Sequence, residues 1–185
     1  FNAVLNENAK IGAAGNRNDT YLEFSNNPAT GGKGSTAHDK VIVFTYELDN
    51  DKVDGDQEPL ADAEFVLLNA DGNKAAQVNA DTGKVEAWIE QANALTQDYN
   101  AWTALNAKHN VILKSDTSGD FNVVGLDEGA YKLLEIKAPS GYNKLDEAKD
   151  LTITASTGLV QDWNNYDISP LTSLEITVGE HTVQG

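Results

Sequence analysis

The segment AYKLLEIKAPSGYNKL, residues 130–145, begins with a run of bulky and aromatic residues that is typical of a β-strand. Successive side chains of a strand point to opposite faces. Leu133 and Glu135 would therefore share one face, while Leu134 and Ile136 would share the other. One face of this strand carries a carboxylate in line with residues that we expect in the core.

Composition limits what the protein can be. Of the 185 residues, 40% are hydrophobic, which is enough for a core. The 29 acidic and 13 basic residues give a formal net charge of −16, which argues against nucleic acid and membrane surfaces as partners. Cysteine is absent, so disulfides and cysteine chemistry are excluded. No run approaches the roughly 18 apolar residues of a membrane span, and we expect any targeting or anchoring segment to lie outside these residues.

Short segments rich in β-branched or aromatic residues recur along most of the chain, separated by Gly, Pro, Asn or Asp. They are KVIVFTYELDNDKVDG (40–55), AEFVLLNADGNK (63–74), GDFNVVGL (119–126), AYKLLEIKA (130–138), DLTITAS (150–156) and SLEITVG (173–179). This spacing predicts a mostly β protein, an antiparallel β-sandwich.

Residues 84–107 depart from the strand pattern, because their apolar side chains recur at three- and four-residue steps. The residues with this spacing are Val85, Trp88, Ala92, Leu95, Tyr99 and Trp102. We predict a short helical insertion here, covering one edge or end of the sandwich.

The N-terminal residues do not fit into the sandwich. Residues 1–31 contain two strand-like segments, FNAVL and TYLEFSNN, with a turn predicted in GAAGNRND between them. Two strands have no core of their own and must pack on the rest of the chain or on a domain further upstream. Residues 32–39 complete a Gly-, Ser- and Thr-rich stretch that is typical of a linker. The sandwich would then occupy residues 40–185.

Lys52 is, like Glu135, a charged residue on a strand face that we expect to point into the core. Continuing the alternation of Tyr46 and Leu48 places Lys52 on the inward face of its strand. Isolated buried ions are so unfavourable that such groups normally pair or become neutral. A neutral amine is a nucleophile, and it could attack a neighbouring asparagine side chain while a protonated glutamate polarises the amide oxygen. The product would be an isopeptide bond between strands; on periodicity alone, an ordinary ion pair stays open.

Two longer segments resemble one known family. KVDGDQEPLADAEFVLLNADG (52–72) and SGDFNVVGLDEGAYKLLEIKAPSGY (118–142) resemble the immunoglobulin-like CnaB-type domains of sortase-assembled backbone pilins from Gram-positive bacteria. The resemblance implies that Lys52 is the nucleophile and that Glu135 is the catalytic acid/base. Asp62 departs from the glycine that is usual there. The residues that match around the acid are Gly125, Leu126, Gly129, Tyr131, Pro139, Gly141 and Tyr142.

The N-terminal segment carries a second resemblance. AVLNENAKIGAAGNRNDTYLEFSNNP (3–28) is similar to the terminal strands of the domain that precedes the C-terminal domain in these pilins. The resemblance implies that an asparagine in SNNP accepts a cross-link from an upstream lysine. Alternation places Asn26 inward and Asn27 outward, so Asn26 is the predicted acceptor.

The acceptor for Lys52 is not evident in the sequence. In the family it lies on the last strand, but no asparagine or aspartate follows Leu174 here. Asn164 and Asn165 come before the expected position, in a polar loop. We therefore predict that residues 40–185 lack the last strand and that Lys52 is unbonded within this chain. A β-strand donated by another molecule is one way to complete the domain.

The resemblance implies a structural shaft subunit of an extracellular, cell-wall-anchored pilus, joined to other pilin subunits by a sortase. Glu135 would act once, without turnover, so the protein is not expected to be an enzyme. No metal or cofactor is expected, because DNDKVDGDQE (49–58) fails the calcium EF-hand pattern. The alternative function is an adhesin tip or stalk module that contacts a host protein or glycan through Trp88, Trp102 and Trp163.

Overall fold

The computed structural model describes residues 5–6, 8–27, 31–160, 162–165 and 169–184. The strands are β1 (Asn16–Thr20), β2 (Glu23–Asn27), β3 (Gly32–Ser35), β4 (Asp39–Val43), β5 (Tyr46–Leu48), β6 (Glu64–Asn69), β7 (Lys74–Val78), β8 (Val85–Glu90), β9 (Leu113–Lys114), β10 (Val123–Leu126), β11 (Gly129–Lys137), β12 (Lys149–Thr157), β13 (Leu171–Val178) and β14 (His181–Gln184). The α-helix is α1 (Tyr99–His109), and short 3-10 helices span Gly12–Ala14 and Ala94–Thr96.

Two sheets enclose the main core. The large sheet has the order β14-β13-β12-β11-β6-β7-β8, and β9 also pairs with β6. The second sheet consists of β5 and β10, which pair antiparallel. Between the sheets lies a first core that includes Leu48, Phe65, Val123 and Leu133. The mostly β, antiparallel architecture predicted from the sequence is confirmed.

A second core lies on the other face of the large sheet. Val66 and Leu134 point into it from β6 and β11, opposite to Phe65 and Leu133, and Trp102 of α1 is buried against them. Strands buried on both faces read as continuous apolar runs. This explains the sequence FVLL in β6. On β11, the face that bears Glu135 belongs to the first core.

The helix predicted at 84–107 is wrong over its first part. Val85–Glu90 forms β8 and pairs antiparallel with β7, because Val, Trp and Ile favour strands and the pairing satisfies the main chain. The helix α1 begins after Asp98, whose side chain caps it by accepting a hydrogen bond of 2.8 Å from the Ala101 amide. It covers the outer face of the large sheet through Trp102, not an edge of the sandwich.

The N-terminal residues form two antiparallel ribbons, β1 with β4 and β2 with β3. Two expectations are corrected here. The segment 12–19, predicted to be a turn, contains most of β1, and the segment 32–39, predicted to be a linker, contains β3 and the first residue of β4. Pairing with a partner strand satisfies main-chain groups even where Asn, Asp and Gly are poor strand formers. The strand predicted at 1–5 lies almost entirely outside the described residues, and the division into domains stays a prediction.

The β1–β4 ribbon is held against the loop that follows β12. The Arg17 guanidinium donates to the main-chain carbonyls of Asp162, Trp163 and Asn165, at 3.1, 2.7 and 2.9 Å. The ammonium group of Lys40 lies 5.5 Å from the centre of the Trp163 ring, within the range of a cation–π contact. These contacts fix the incoming strand pair to the body of the sandwich.

Candidate functional site

Lys52 is held in place through its main chain. The alternation that buries Tyr46 and Leu48 continues past the end of β5, and Lys52 is partly buried. Its amide donates to the Gly119 carbonyl at 2.8 Å, and its carbonyl accepts from the Leu60 amide at 2.8 Å. Because both main-chain groups are engaged, the backbone at Lys52 is fixed, and with it the direction of the Cα–Cβ bond.

Glu135 is among the most deeply buried side chains of the described chain. It lies on β11 directly opposite Phe65 of β6, and the residue is 1% exposed. One carboxylate oxygen, Oε2, accepts a hydrogen bond of 2.7 Å from the main-chain amide of Leu145. The inward orientation of this carboxylate, predicted from alternation, is confirmed.

The structure brings the two predicted residues together. Nζ of Lys52 lies 3.1 Å from Oε1 of Glu135, and the lysine side chain is 20% exposed while the glutamate side chain is fully buried. The angles of this contact are not those of a hydrogen bond, so Oε1 has no hydrogen-bond partner among the described residues. We regard the contact as an ion pair by distance. It leaves one buried oxygen with unused acceptor capacity.

Two aromatic rings line the pair. Phe65 and Phe121 stack with their centres 4.2 Å apart and their planes 4° from parallel. The Lys52 nitrogen lies 5.9 Å from the centre of the Phe65 ring. Apolar walls lower the local dielectric on this side of the pair, which strengthens the interaction between the two groups.

A second lysine–glutamate pair in the same sheet shows the ordinary arrangement. Glu64 accepts hydrogen bonds on both oxygens, from Lys137 Nζ at 2.9 Å and from the Tyr99 hydroxyl at 2.9 Å. The contact with Glu64 raises the pKa of Lys137 above its ordinary value, as expected for a stable ion pair. Both oxygens of Glu64 are thus satisfied, whereas Glu135 retains an oxygen without a donor.

Asn26 is not part of this site. It lies in β2, which pairs with β3 in a ribbon of its own, and its side chain is exposed. The inward orientation predicted for Asn26 concerns a domain upstream of this chain and stays a prediction. Its role as an acceptor for an upstream lysine stays a prediction.

Lys52 has no asparagine or aspartate partner among the residues that the structure describes. The main-chain carbonyl of Asn165, one of the two asparagines near the end of the sequence, accepts a hydrogen bond from Arg17. The missing last strand and the bonding state of Lys52 stay predictions.

Sequence reasoning gave no role to two residues, Asp54 and Tyr142, that follow Lys52 and Glu135 along the chain. Asp54 Oδ1 accepts hydrogen bonds from the amides of Asp56 and Glu58, at 2.9 and 3.0 Å, and Oδ2 accepts one of 3.2 Å from the Tyr142 hydroxyl. The hydrogen bonds from Glu58 and Asp56, with that from Tyr142, hold the pKa of Asp54 below its usual value. The signals for these residues were the K-x-D spacing and the tyrosine that ends APSGY.

No cluster of three or more histidine, aspartate or glutamate side chains suited to a metal ion occurs in the described part of the chain. Within the same ranges, no helix is long and apolar enough to cross a membrane.

Comparisons with known proteins identify relatives. A family model described as the SpaA prealbumin-like fold domain matches residues 46–167, about two thirds of the chain. The trypsin-resistant surface T6 protein of Streptococcus pyogenes serotype M6 is 26% identical over 187 residues. That match covers 94% of this chain and 28% of the T6 protein, so the chain spans well under half the length of this relative.

Solved structures of pilins share the fold. The T6 backbone pilin of S. pyogenes aligns over 98% of this chain and 41% of its own, with a TM-score of 0.51 and 20% identity. A 35 kDa C-terminal fragment of the major pilin of Streptococcus agalactiae aligns over 77% of this chain and 47% of its own, with a TM-score of 0.53 and 23% identity. The predicted resemblance to Gram-positive backbone pilins is confirmed, and these two structures support the fold.

Proposed function

Because the chain belongs to the family of SpaA prealbumin-like fold domains, we propose that it is part of the structural shaft subunit of a surface pilus. The relatives that match most of this chain are a surface protein and backbone pilins. The shaft would be extracellular and anchored to the cell wall, with neighbouring pilin subunits joined covalently by a sortase. The function is mechanical and involves no turnover.

The observation that carries this proposal is the contact between Lys52 and Glu135. A carboxylate with no exposure, one oxygen without a hydrogen-bond donor and an ammonium group 3.1 Å away are suited to moving a proton from the amine to the acid. The ion pair of Glu64 differs, because both of its oxygens accept hydrogen bonds.

The proposed reaction joins Lys52 to an asparagine side chain. Glu135 takes the proton of the ammonium group, and the neutral Nζ attacks the carboxamide carbon. The protonated Glu135 stabilises the tetrahedral intermediate and then gives its proton to the leaving nitrogen. As Nζ becomes the amide nitrogen, it loses its surplus proton to the Glu135 carboxylate, so that the products are the amide, ammonia and protonated Glu135. One C–N bond forms, one C–N bond breaks and ammonia leaves; with an aspartic acid as acceptor, water leaves instead.

The acceptor would lie on a strand added beside β5. In the described chain β5 pairs with β10 along one edge only, so its other edge can form main-chain hydrogen bonds with a further strand. Such a strand could come from another molecule or from the same polypeptide. Asn26, on the N-terminal ribbon, would serve in the same way as the acceptor for a lysine of a preceding domain.

A cross-link at this site would resist pulling. Tension along a pilus shears strands past one another, and hydrogen bonds break one after another under such a load. An amide bond between Lys52 and the added strand would bypass those hydrogen bonds. It would replace the disulfides that a chain without cysteine cannot form.

The alternative function, an adhesin tip that binds through tryptophans, has less support. Trp102 is fully buried in the second core. Trp88 stacks on Tyr131 with the ring centres 5.9 Å apart, and Trp163 lies against Lys40. Trp102 is therefore closed to a host ligand, and Trp88 and Trp163 are each partly buried by contacts within the chain.

Polymerisation tests the proposed function. Cell-wall extracts of the producing bacterium, boiled in detergent and probed with antibodies against this chain, should show a ladder of covalent species. A strain without its pilus sortase should show a single monomer band. A single band in both strains would contradict a shaft subunit and would favour a tip or stalk module.

A further inference from the structure

A hydrogen bond joins the loops that follow Lys52 and Glu135. The Tyr142 hydroxyl donates to Oδ2 of Asp54 at 3.2 Å, although the two residues are 88 positions apart in the chain. Asp54 lies two residues after Lys52, and Tyr142 lies seven residues after Glu135. Tyr142 is 47% exposed, and partial desolvation together with the bond to Asp54 raises its pKa above the ordinary value. A phenol is a hydrogen-bond donor at neutral pH in any case.

The Lys52 side of this link is rigid. Asp54 accepts two main-chain amides within its own loop, and its amide donates to the Glu58 carbonyl at 2.9 Å. The Leu60 amide then closes the loop on the Lys52 carbonyl. The Asp54 carboxylate is therefore a fixed anchor close to the nucleophile.

The segment that contains Tyr142 also supplies a hydrogen-bond donor to the Glu135 carboxylate. The Tyr142 amide donates to the Pro139 carbonyl at 3.1 Å, which makes a turn with Gly141 at φ +90°. Three residues later, the Leu145 amide donates to Oε2 of Glu135 at 2.7 Å. The position of this segment decides whether Glu135 keeps the donor to Oε2, and hence where Oε1 points.

We propose that Tyr142 and Asp54 are positioning residues, which hold the loop 139–145 so that the Leu145 amide fixes Glu135 with its other oxygen directed at Lys52. This inference rests on the amide-forming reaction proposed above. These contacts form a closed circuit. The main chain joins Lys52 to Asp54 and Tyr142 to Leu145, hydrogen bonds join Asp54 to Tyr142 and Leu145 to Glu135, and the 3.1 Å contact joins Glu135 to Lys52. Preorganisation of this kind lowers the reorganisation needed when the proton moves.

A matched tyrosine provides the control. Tyr99 also donates its hydroxyl to a carboxylate, Glu64, at 2.9 Å. That contact belongs to the network on the second-core side of the sheet and does not touch Lys52, Glu135 or the loop 139–145. Tyr142→Phe and Tyr99→Phe therefore remove the same chemical group from two places, only one of which lies in the circuit.

Amide hydrogen exchange measured by NMR on the isotope-labelled chain tests the positioning directly. Tyr142→Phe should speed exchange of the Leu145 amide by roughly tenfold, because loss of one hydrogen bond favours local opening of the loop. Amides of β6 and β11 should exchange as in the wild type. Asp54→Ala should act like Tyr142→Phe, and Asp54→Asn, which keeps an acceptor oxygen, should restore most of the protection. Unchanged Leu145 exchange in Tyr142→Phe, or an equal change in Tyr99→Phe, would overturn the proposal.

The rate of cross-linking gives the functional readout. In pulse-labelled pilin from the producing bacterium, Tyr142→Phe should slow the joining of Lys52 to its acceptor by about three- to tenfold, the effect of one lost hydrogen bond. Tyr99→Phe should join at the wild-type rate. Equal rates in the wild type and Tyr142→Phe would overturn the positioning role. If the wild type itself shows no joined Lys52, the proposed reaction is wrong, and the Leu145 exchange alone decides whether the network holds Glu135.

Discussion

The Lys52 ammonium nitrogen lies 3.1 Å from the Glu135 carboxylate, but the two side chains are unequally buried, at 20% and 0% exposed. The lysine can draw on solvent for part of its hydration, whereas the glutamate has only Leu145 and Lys52 as polar partners. Loss of the Lys52 cation should therefore destabilise the folded state more than loss of the Glu135 anion.

This asymmetry predicts unequal effects of two substitutions. Lys52→Met leaves a fully buried carboxylate without its cation, and we expect a loss of about 3–5 kcal/mol in the free energy of unfolding at neutral pH. Glu135→Gln keeps an acceptor for the Leu145 amide and leaves a partly hydrated ammonium group, so the loss should be about 1–2 kcal/mol. Urea unfolding of the two variants measures both values.

The double variant is the control. Lys52→Met with Glu135→Gln has neither charge, and it should be less destabilised than the sum of the two single variants. Equal losses in the single variants, or a larger loss for Glu135→Gln, would show that the carboxylate is not the costly member of the pair.

Gly119 fixes the main chain of Lys52. Its φ is +89°, and a Cβ added there would lie 2.6 Å from the Lys52 carbonyl oxygen. Gly119→Ala should therefore lower stability and displace Lys52. Gly141 has a nearly equal φ of +90° with nothing within 4 Å of an added Cβ, so Gly141→Ala measures the cost of the positive φ alone. Thermal unfolding should show a larger drop for Gly119→Ala, and equal drops would contradict the close contact.

Replacing Asp120 by asparagine should stabilise the protein at neutral pH but not at low pH. A hydrogen bond with the Asp51 carboxyl, then burial and repulsion from Asp116, Asp51 and Asp49, raise the pKa of Asp120. Because the folded pKa exceeds the unfolded value of about 3.9, this group stabilises the fold at low pH, and its contribution is lost as pH rises through the folded pKa. Asp120→Asn should unfold at a higher temperature than the wild type at pH 7, and the difference should vanish below about pH 4. The exposed Asp81→Asn removes the same charge and should lack this dependence.

The hydrogen bonds of Arg17 should hold the β1–β4 ribbon against the loop at 162–165. Arg17→Ala removes three hydrogen bonds to the loop at 162–165, so amides of β1 should exchange at least about tenfold faster. Arg17→Lys should recover little, because an ammonium group lacks the planar fork of the guanidinium. Lys33→Ala, which breaks an exposed ion pair with Glu23, is the control and should leave β1 unchanged. Unchanged exchange in Arg17→Ala would mean that β1 is held by its pairing with β4 alone.

The sequence predicted the pair but not its surroundings. Alternation placed Lys52 and Glu135 correctly because each continues a strand whose inward neighbours are core residues. The helix boundary was missed because the spacing from Trp88 onwards fits a helix, and pairing of β8 with β7 decides otherwise. The contact of Tyr142 with Asp54 joins two distant loops. The motif marks Tyr142 as a matching residue, but a local pattern does not show which residue across the fold it contacts.

The most direct test is mass spectrometry of the natural protein released from the cell wall and digested with trypsin. We expect that cleavage after Lys52 fails and that its peptide is joined by an amide to a second peptide, with loss of ammonia or water. In a strain that carries Glu135→Ala, the Lys52 peptide should be unmodified. A free Lys52 peptide in the wild-type pilus would show that Lys52 and Glu135 do not form a cross-link.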